Sequence, residues 1–321
     1  RIKIDLQLAY AGVRYRQGRH DESLKLSKPA AADAESLGYT RALAHACSLV
    51  DVASTAAGRP ELEYRERALP LYEEVGDLLG YANALNNRGI DAYYEARWDE
   101  AIDYYRRSGA ESARAGDVVN AARARNNEAE ILSDQGRLAE AEALFTEALR
   151  VWRAGNYVVG VSLATSNLGR AAARGGRFGE AERLLRDALF GFEAIGAESF
   201  VLETQARLVE RFVLEGHYRD AQELARATLE RARRGEAGAL LEAMLERLAG
   251  YALVQARTPA DAREHFERSL ASARGADAEF EIALTLRALA DIGAATEEQA
   301  AESAEILERL GVVSLPRIPL P

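Results

Sequence analysis

Gly136-Arg137-Leu138-Ala139-Glu140-Ala141 returns 40 residues later as Gly176-Arg177-Phe178-Gly179-Glu180-Ala181, and again as Gly216-His217-Tyr218-Arg219-Asp220-Ala221. An earlier copy reads Ala96-Arg97-Trp98-Asp99-Glu100-Ala101, and the closing alanines Ala101, Ala141, Ala181 and Ala221 keep the same step. Between these stretches Asn87, Asn127 and Asn167 recur at the same interval. A fixed period of this size marks a solenoid, in which each unit buries its apolar face on its neighbours. Helix-period signals fill the chain and strand alternation is absent, so the expected fold class is all-α, with about eight helical hairpins.

The breaks between helices follow the same rhythm. Gly76-Asp77, Gly116-Asp117 and Gly155-Asn156 each end one helix and start the next, and Gly196-Ala197, Gly235-Glu236 and Gly275-Ala276 continue the series. Glycine can close a helix in the left-handed conformation, and Asp or Asn can accept hydrogen bonds from the free amides that follow. The hairpins are expected near 1–38, 39–76, 77–116, 117–155, 156–196, 197–235, 236–275 and 276–311. Pro29 and Pro70 fall inside second helices of the first two, where a missing amide should kink or shorten the helix. The turn Arg257-Thr258-Pro259-Ala260-Asp261 reads one residue longer than its counterparts, and the extra residue is assigned there. The interior is expected to hold Leu85, Ala92, Ala101, Tyr105, Phe145, Ala148, Leu168, Leu185, Ala188, Leu208, Leu224, Phe266 and Leu270, with Gly89 and Gly169 admitting close helix approach.

A repeat array lengthens its core instead of splitting it, so residues 1–311 read as one continuous repeat domain and 312–321 as a Pro-rich tail. The net charge of −10 argues against general attraction to nucleic acid or to an anionic membrane. Cys47 is the single cysteine, which rules out an internal disulfide and fits a reducing, cytoplasmic compartment. The first residues carry no apolar signal-peptide core, and no apolar run is long enough to span a bilayer. Arg1 in place of Met is expected of a piece of a longer chain.

Leu168-Gly169 in a first helix and Ala181 opening the second, with Ala141-Phe145-Ala148 and Ala262-Phe266 as parallel matches, resemble the tetratricopeptide repeat over nearly the whole chain. The sequence departs from the common shorter form in lacking its early Trp and terminal Pro. In its longer period it is similar to the sensor repeats of large bacterial ATPase regulators of the maltose-regulon-activator type. The final Ile306-Leu307-Glu308-Arg309-Leu310-Gly311-Val312-Val313 is similar to C-termini of actinobacterial cyclase/ATPase regulators. The resemblance implies a right-handed superhelix, a non-enzymatic regulatory role and a groove for an extended peptide or protein segment. In such repeats the first helices line the concave surface, and an Asn at the equivalent of Asn87, Asn127 and Asn167 holds the peptide main chain.

The chemistry suits that role, because a carboxamide offers both donor and acceptor to a peptide group whatever the ligand's side chains. The alternative is that these Asn bond neighbouring helices or face water. The same step reaches Arg207 and Arg247, whose guanidinium groups can grip a carboxylate bidentately. One helical turn onward stand Ile90 and Tyr94, Glu130 and Asp134, Arg170 and Arg174, then Glu210; these acidic and basic groups could instead pair with each other between helices. The partner expected is therefore a peptide or protein segment, with contact to other modules of a longer parent chain. A small-molecule inducer site near Tyr93 and Tyr94, and a self-associating scaffold, are the other readings.

Catalysis and cofactors are not expected. His20, His45, His217 and His265 are dispersed without metal-ligand spacing, and Gly175-Gly176-Arg177-Phe178-Gly179 lacks the preceding strand and Lys-Ser/Thr of a phosphate loop. Arg226, Arg231, Arg233 and Arg234 form a basic face on one second helix. The prolines after Gly311 preclude a helix, and the apolar residues there are expected to cover the exposed face of the last hairpin, the alternative being that they occupy another copy's groove.

Overall fold

A computed structural model describes residues 1–235 and 238–321, and among these residues there are sixteen helices and no strand. In chain order they are α1 (Ile2–Arg16), α2 (His20–Ser36), α3 (Thr40–Ala56), α4 (Leu62–Glu74), α5 (Leu78–Tyr94), α6 (Trp98–Arg114), α7 (Val118–Asp134) and α8 (Leu138–Ala154). Then come α9 (Val158–Arg174), α10 (Phe178–Ala194), α11 (Glu198–Glu215), α12 (Tyr218–Arg234), α13 (Ala239–Gln255), α14 (Pro259–Gly275), α15 (Glu279–Asp291) and α16 (Glu297–Arg309). No helix among the described residues is long and apolar enough to cross a membrane.

The turns explain the period. A left-handed residue closes each helix at Gly76, Ala96, Gly116, Gly136, Asn156, Gly176, Gly196 and Gly216, a step of 20. Glycine takes this conformation without a Cβ penalty, and Asn tolerates it by local hydrogen bonding. At the Gly155-Asn156 break it is Asn156 and not Gly155 that turns left-handed. Asp77 and Asp117 cap the helices that follow, accepting from the amides of Gly80 and Asn120 at 3.0 Å each.

The extra residue of the seventh hairpin is not at Arg257. Three residues separate α13 from α14, as they separate α9 from α10, whereas α13 begins at Ala239, 41 residues after α11 begins at Glu198. The step therefore lengthens in the connection after α12; Glu236 of the expected Gly235-Glu236 break lies outside the described residues. Left-handed Arg257 closes α13 where a glycine stands in other repeats, and the Pro at the start of α14 made an ordinary turn look like an insertion. Pro29 does not shorten α2, which runs 17 residues, while α4, with Pro70, has 13.

The chain divides into two compact units, residues 1–91 with 103–124, and residues 92–102 with 125–321. In unit 1, Ile4, Leu8, Ala11, Ala30, Ala34, Ala46 and Cys47 form the main cluster. A Cβ on Gly89 would stand 2.5 Å from the Tyr105 ring, so the close seating of α5 requires glycine there. In unit 2 the largest enclosed side chains include Trp152, Phe145, Phe192 and Phe266. Of the expected interior only Leu168 and Leu224 remain partly exposed. Each large buried side chain contributes about 1.5–3 kcal/mol against heavy chain entropy, which is why single hairpins need their neighbours.

Cys47 is 0 % exposed, and burial pushes its thiol up to about 11, with Arg67 acting weakly in the other direction. The reactive thiolate is therefore scarce. A chromogenic thiol reagent at about pH 8 is expected to leave the folded chain unlabelled and to titrate one thiol once it is denatured. Rapid native labelling would show that the α3 core opens freely.

Candidate functional site

In unit 2 the first helices α9, α11, α13 and α15 touch in succession, so equivalent positions in neighbouring repeats become spatial neighbours. A residue and its counterpart about 40 positions on can therefore bond directly. Arg170 on α9 donates from Nε to Glu210 on α11 at 2.9 Å and stands 3.1 Å from Asp134 at the end of α7. Arg174 donates to Glu210 at 3.0 Å, to Asp134 at 2.7 Å and to the Ser133 carbonyl at 3.0 Å. Two cations and two anions alternate across three helices, and the Asp134, Arg174 and Glu210 side chains are each 8 % exposed or less.

Burial alone would raise the Glu210 carboxyl, but Arg174 and Arg170 hold it well below the usual carboxylate range. Burial likewise opposes the charge on Arg170, and Asp134 and Glu210 more than offset it. The quartet's bonds clasp the three helices together.

The Asn positions differ from one another. Asn167 is 2 % exposed, and its amide donates to Asn126 at 3.1 Å and to Glu130 at 2.7 Å. Asn127 is half-buried on α7, and Asn87 is half-buried on α5 within unit 1. Tyr94, in unit 2, is 62 % exposed.

Arg207 on α11 is half-buried and donates to the Ser166 hydroxyl at 2.8 Å. No carboxylate among the described residues lies within ion-pair distance of it. Burial pushes its guanidinium down and Arg170 adds to the effect, while the fields of Glu130, Glu203 and Glu210 offset this only in part. It is a desolvated cation whose charge is under-compensated. Arg247, by contrast, is buried and paired with Glu281 through two nitrogens, Nη2 at 3.2 Å. The longer step before α13 moves Arg247 one position off the register of Asn167 and Arg207, and Leu248 takes that position. The basic face of α12 is paired too, Arg231 with Glu198 at 2.6 Å and Arg233 with Glu246 at 2.7 Å.

A cavity of about 820 Å³ opens beside this face, lined by Arg174, Glu210, Arg247, Tyr251, Phe280 and Arg287 among others. One wall of it is the segment after α16, residues Leu315 to Leu320. That segment does not simply cover the last hairpin. The Val313 amide donates to the Gln135 carbonyl at 2.9 Å, and Gln135 Nε2 donates to the Leu310 carbonyl at 2.9 Å. Further along, Ile318 packs with Ala172, Ala173 and Leu214, and Gln255 Nε2 donates to the Pro319 carbonyl at 3.0 Å. Sequence reasoning missed Gln135 and Gln255; the only available signal was their place at the ends of first helices. Among the described residues no group of three or more His, Cys, Asp or Glu is placed to hold a metal ion.

Residues 120–194 match the tetratricopeptide repeat family. No curated protein sequence matches the chain. Among solved structures, a Rap protein complexed with competence and sporulation factor is similar over 96 % of this chain and 87 % of its own, with a TM-score of 0.72 at 12 % identity. The Rap conjugation gene regulator of plasmid pLS20, in complex with the Phr* peptide, is similar over 96 % of this chain and 85 % of its own, with a TM-score of 0.62 at 13 % identity. Aspartyl phosphate phosphatase F from Bacillus subtilis is similar over 94 % of this chain and 78 % of its own, with a TM-score of 0.61 at 13 % identity. The family match in the middle of the chain and these likenesses across nearly all of it identify the fold as an all-α, tetratricopeptide-like helical solenoid.

Proposed function

We propose that this chain is a peptide-binding regulatory repeat domain whose unit 2 holds an extended segment along its first helices, with an acidic group of the ligand on Arg207. The observation that carries this reading is the under-compensated Arg207 cation, 2.8 Å from a neutral hydroxyl and, among the described residues, outside ion-pair distance of any carboxylate. A carboxylate arriving there completes a charge-assisted, bidentate pair. Asn127 supplies a main-chain contact on α7, Tyr94 an exposed ring, and the Asp134, Arg170, Arg174 and Glu130 network a rigid floor with Arg247 behind it. Asn167 supports this floor from α9. Asn87 is assigned the same main-chain role within unit 1. One solved structure of similar fold carries the Phr* peptide by its description and another a competence and sporulation factor, which supports the class of ligand. In this reading the domain reports to other modules of a longer bacterial regulator, similar to the sensor repeats of ATPase regulators, and shifts between conformations that bind the peptide unequally.

The test is selection of peptides from a random pool on the wild-type chain, followed by titration of the selected peptides on variants. Hydrogen bonds to charged groups contribute about 1.5–3 kcal/mol, so Arg207→Ala is expected to weaken binding roughly ten- to hundredfold. Asn127→Ala removes a neutral contact and is expected to cost no more than about tenfold. Asn167→Ala is a poor probe because it also strips Glu130 of a donor. Peptides that bind Arg207→Ala as well as wild type would sink the reading.

A small-molecule ligand is the second reading, favoured by the cavity of about 820 Å³, which is the size of metabolite sites. A metabolite that raises the melting temperature while no peptide does so would select it.

A further inference from the structure

Residues 310–319 are held much as a bound peptide would be. Contacts to main chain dominate at both ends: Gln135 offers its carbonyl to Val313 and its side-chain amide to Leu310, and Gln255 reaches Pro319. Between these ends Ile318 inserts into the cluster of Ala172, Ala173 and Leu214. Gly136 makes the approach possible, since a Cβ there would stand 2.3 Å from the Ser314 oxygens. Pro316 and Pro319 set the segment in an extended form without internal hydrogen bonds. The fit is incomplete. Gln135 is 3 % exposed yet its Oε1 accepts no hydrogen bond among the described residues, and Gln255 Oε1 is likewise without a donor. Proline has no amide hydrogen to give them.

We propose that the strip from Gln135 to Gln255 is a docking site for extended, proline-containing apolar peptides, and that residues 312–320 are its resident occupant from the same chain. The inference rests on the peptide reading above and specifies both the class of ligand and its regulation. An incoming peptide with an amide hydrogen beside Gln135 or Gln255 satisfies an acceptor that the resident segment leaves bare. The resident segment competes through its tether: short flexible tethers hold a segment at an effective concentration of about 1 mM, so only a peptide that binds better, or is abundant, displaces it. Displacement would free the wall of the cavity that Leu315 to Leu320 now form and expose Tyr251, Phe280 and Arg287 beyond it.

The experiment uses a fluorescein-labelled peptide of residues 312–321 and follows its anisotropy on three chains: wild type, a chain ending at Gly311, and full-length Ile318→Asp. The last keeps every residue but drives a charge into the alanine and leucine cluster, so it remains informative where truncation prevents folding. The truncated and Ile318→Asp chains are expected to bind the labelled peptide at least about tenfold more tightly than wild type, as the tether concentration implies. Adding Gln255→Ala to either, which removes the donor to the Pro319 carbonyl, is expected to weaken binding by roughly two- to tenfold. Equal binding to wild type and to the released chains overturns the proposal, as does binding that Gln255→Ala leaves unchanged. No binding to a released chain that still melts cooperatively also overturns it. Concentration-dependent dimers that exchange the segment overturn occupancy from the same chain. In each of these cases peptides selected from a random pool, and their dependence on Arg207, decide separately whether the broader peptide reading stands.

Discussion

Glu210→Ala is expected to remove about 3–5 kcal/mol of stability from unit 2, because truncating one member of a buried ion cluster leaves its partners charged and unpaired. Here the loss is concentrated: Arg170 and Arg174 both lean on Glu210, and after truncation they share Asp134 alone. Both tryptophans, Trp98 and Trp152, lie in unit 2 and are buried, so denaturant unfolding followed by tryptophan fluorescence reads this unit. The pH dependence follows from the sign of the shift. Glu210 has a folded-state value depressed below the ordinary value of about 4.3, so its contribution is fully present above that value and fades as pH falls toward the folded-state value. The gap between wild type and Glu210→Gln is therefore expected to be constant from neutral to mildly acidic pH and to close only in stronger acid. A gap that instead closed near neutrality would mean that Glu210 is not held ionised by the two arginines. Replacing all four charges by apolar residues of like volume could be neutral, since buried ion pairs serve arrangement more than net stability.

Much of the fold is legible because the repeat announces itself twice, in the 40-residue step of Asn87, Asn127 and Asn167 and in the glycine turns. The left-handed step of 20 is marked by glycine at Gly76, Gly116, Gly136, Gly176, Gly196 and Gly216, whereas Ala96, and Arg257 beyond the even step, take the same conformation without a residue type that signals it. That concealment placed the extra residue at Arg257 and put Arg247 in a ladder position that Leu248 occupies. The candidate site was legible as a set of positions and illegible as a set of states. Spacing brings Arg170 near Glu210, yet it does not say which of Arg207 and Arg247 has a carboxylate waiting; that depends on Glu281, which lies 34 positions from Arg247 and outside the 40-residue rule. The segment after α16 was hidden for a plainer reason. Its partner Gln135 is 175 positions from Leu310, and no local pattern can report a contact at that range.

Trp98→Ala should have the second large effect, about 3–5 kcal/mol lost on truncating a buried tryptophan. Trp98 is 4 % exposed, stacks on Tyr93 with centroids 6.0 Å apart and meets Phe280 of α15 at 5.1 Å. Within unit 2 it therefore joins residues 92–102 to α15, near the other end of that unit's sequence. Beside it Arg309 donates to the Ala96 carbonyl at 3.3 Å and pairs with Glu279. Repeat arrays are held mainly by contacts between neighbours, so a contact between distant members acts as a latch on their curvature. Removing it should do more than lower stability: the distance between spin labels at Asp99 and Glu305, both exposed in unit 2, should lengthen, and Arg309→Ala should lengthen it by a smaller amount. Phe280→Leu, which keeps an apolar partner for the indole, should leave that distance near wild type. A Trp98→Ala chain that is destabilised without expanding would show that the indole fills space but does not set the curvature. If expansion is seen, a ligand favouring the closed arrangement should bind Trp98→Ala more weakly with no contact to Trp98, because part of its binding energy must then restore the closure.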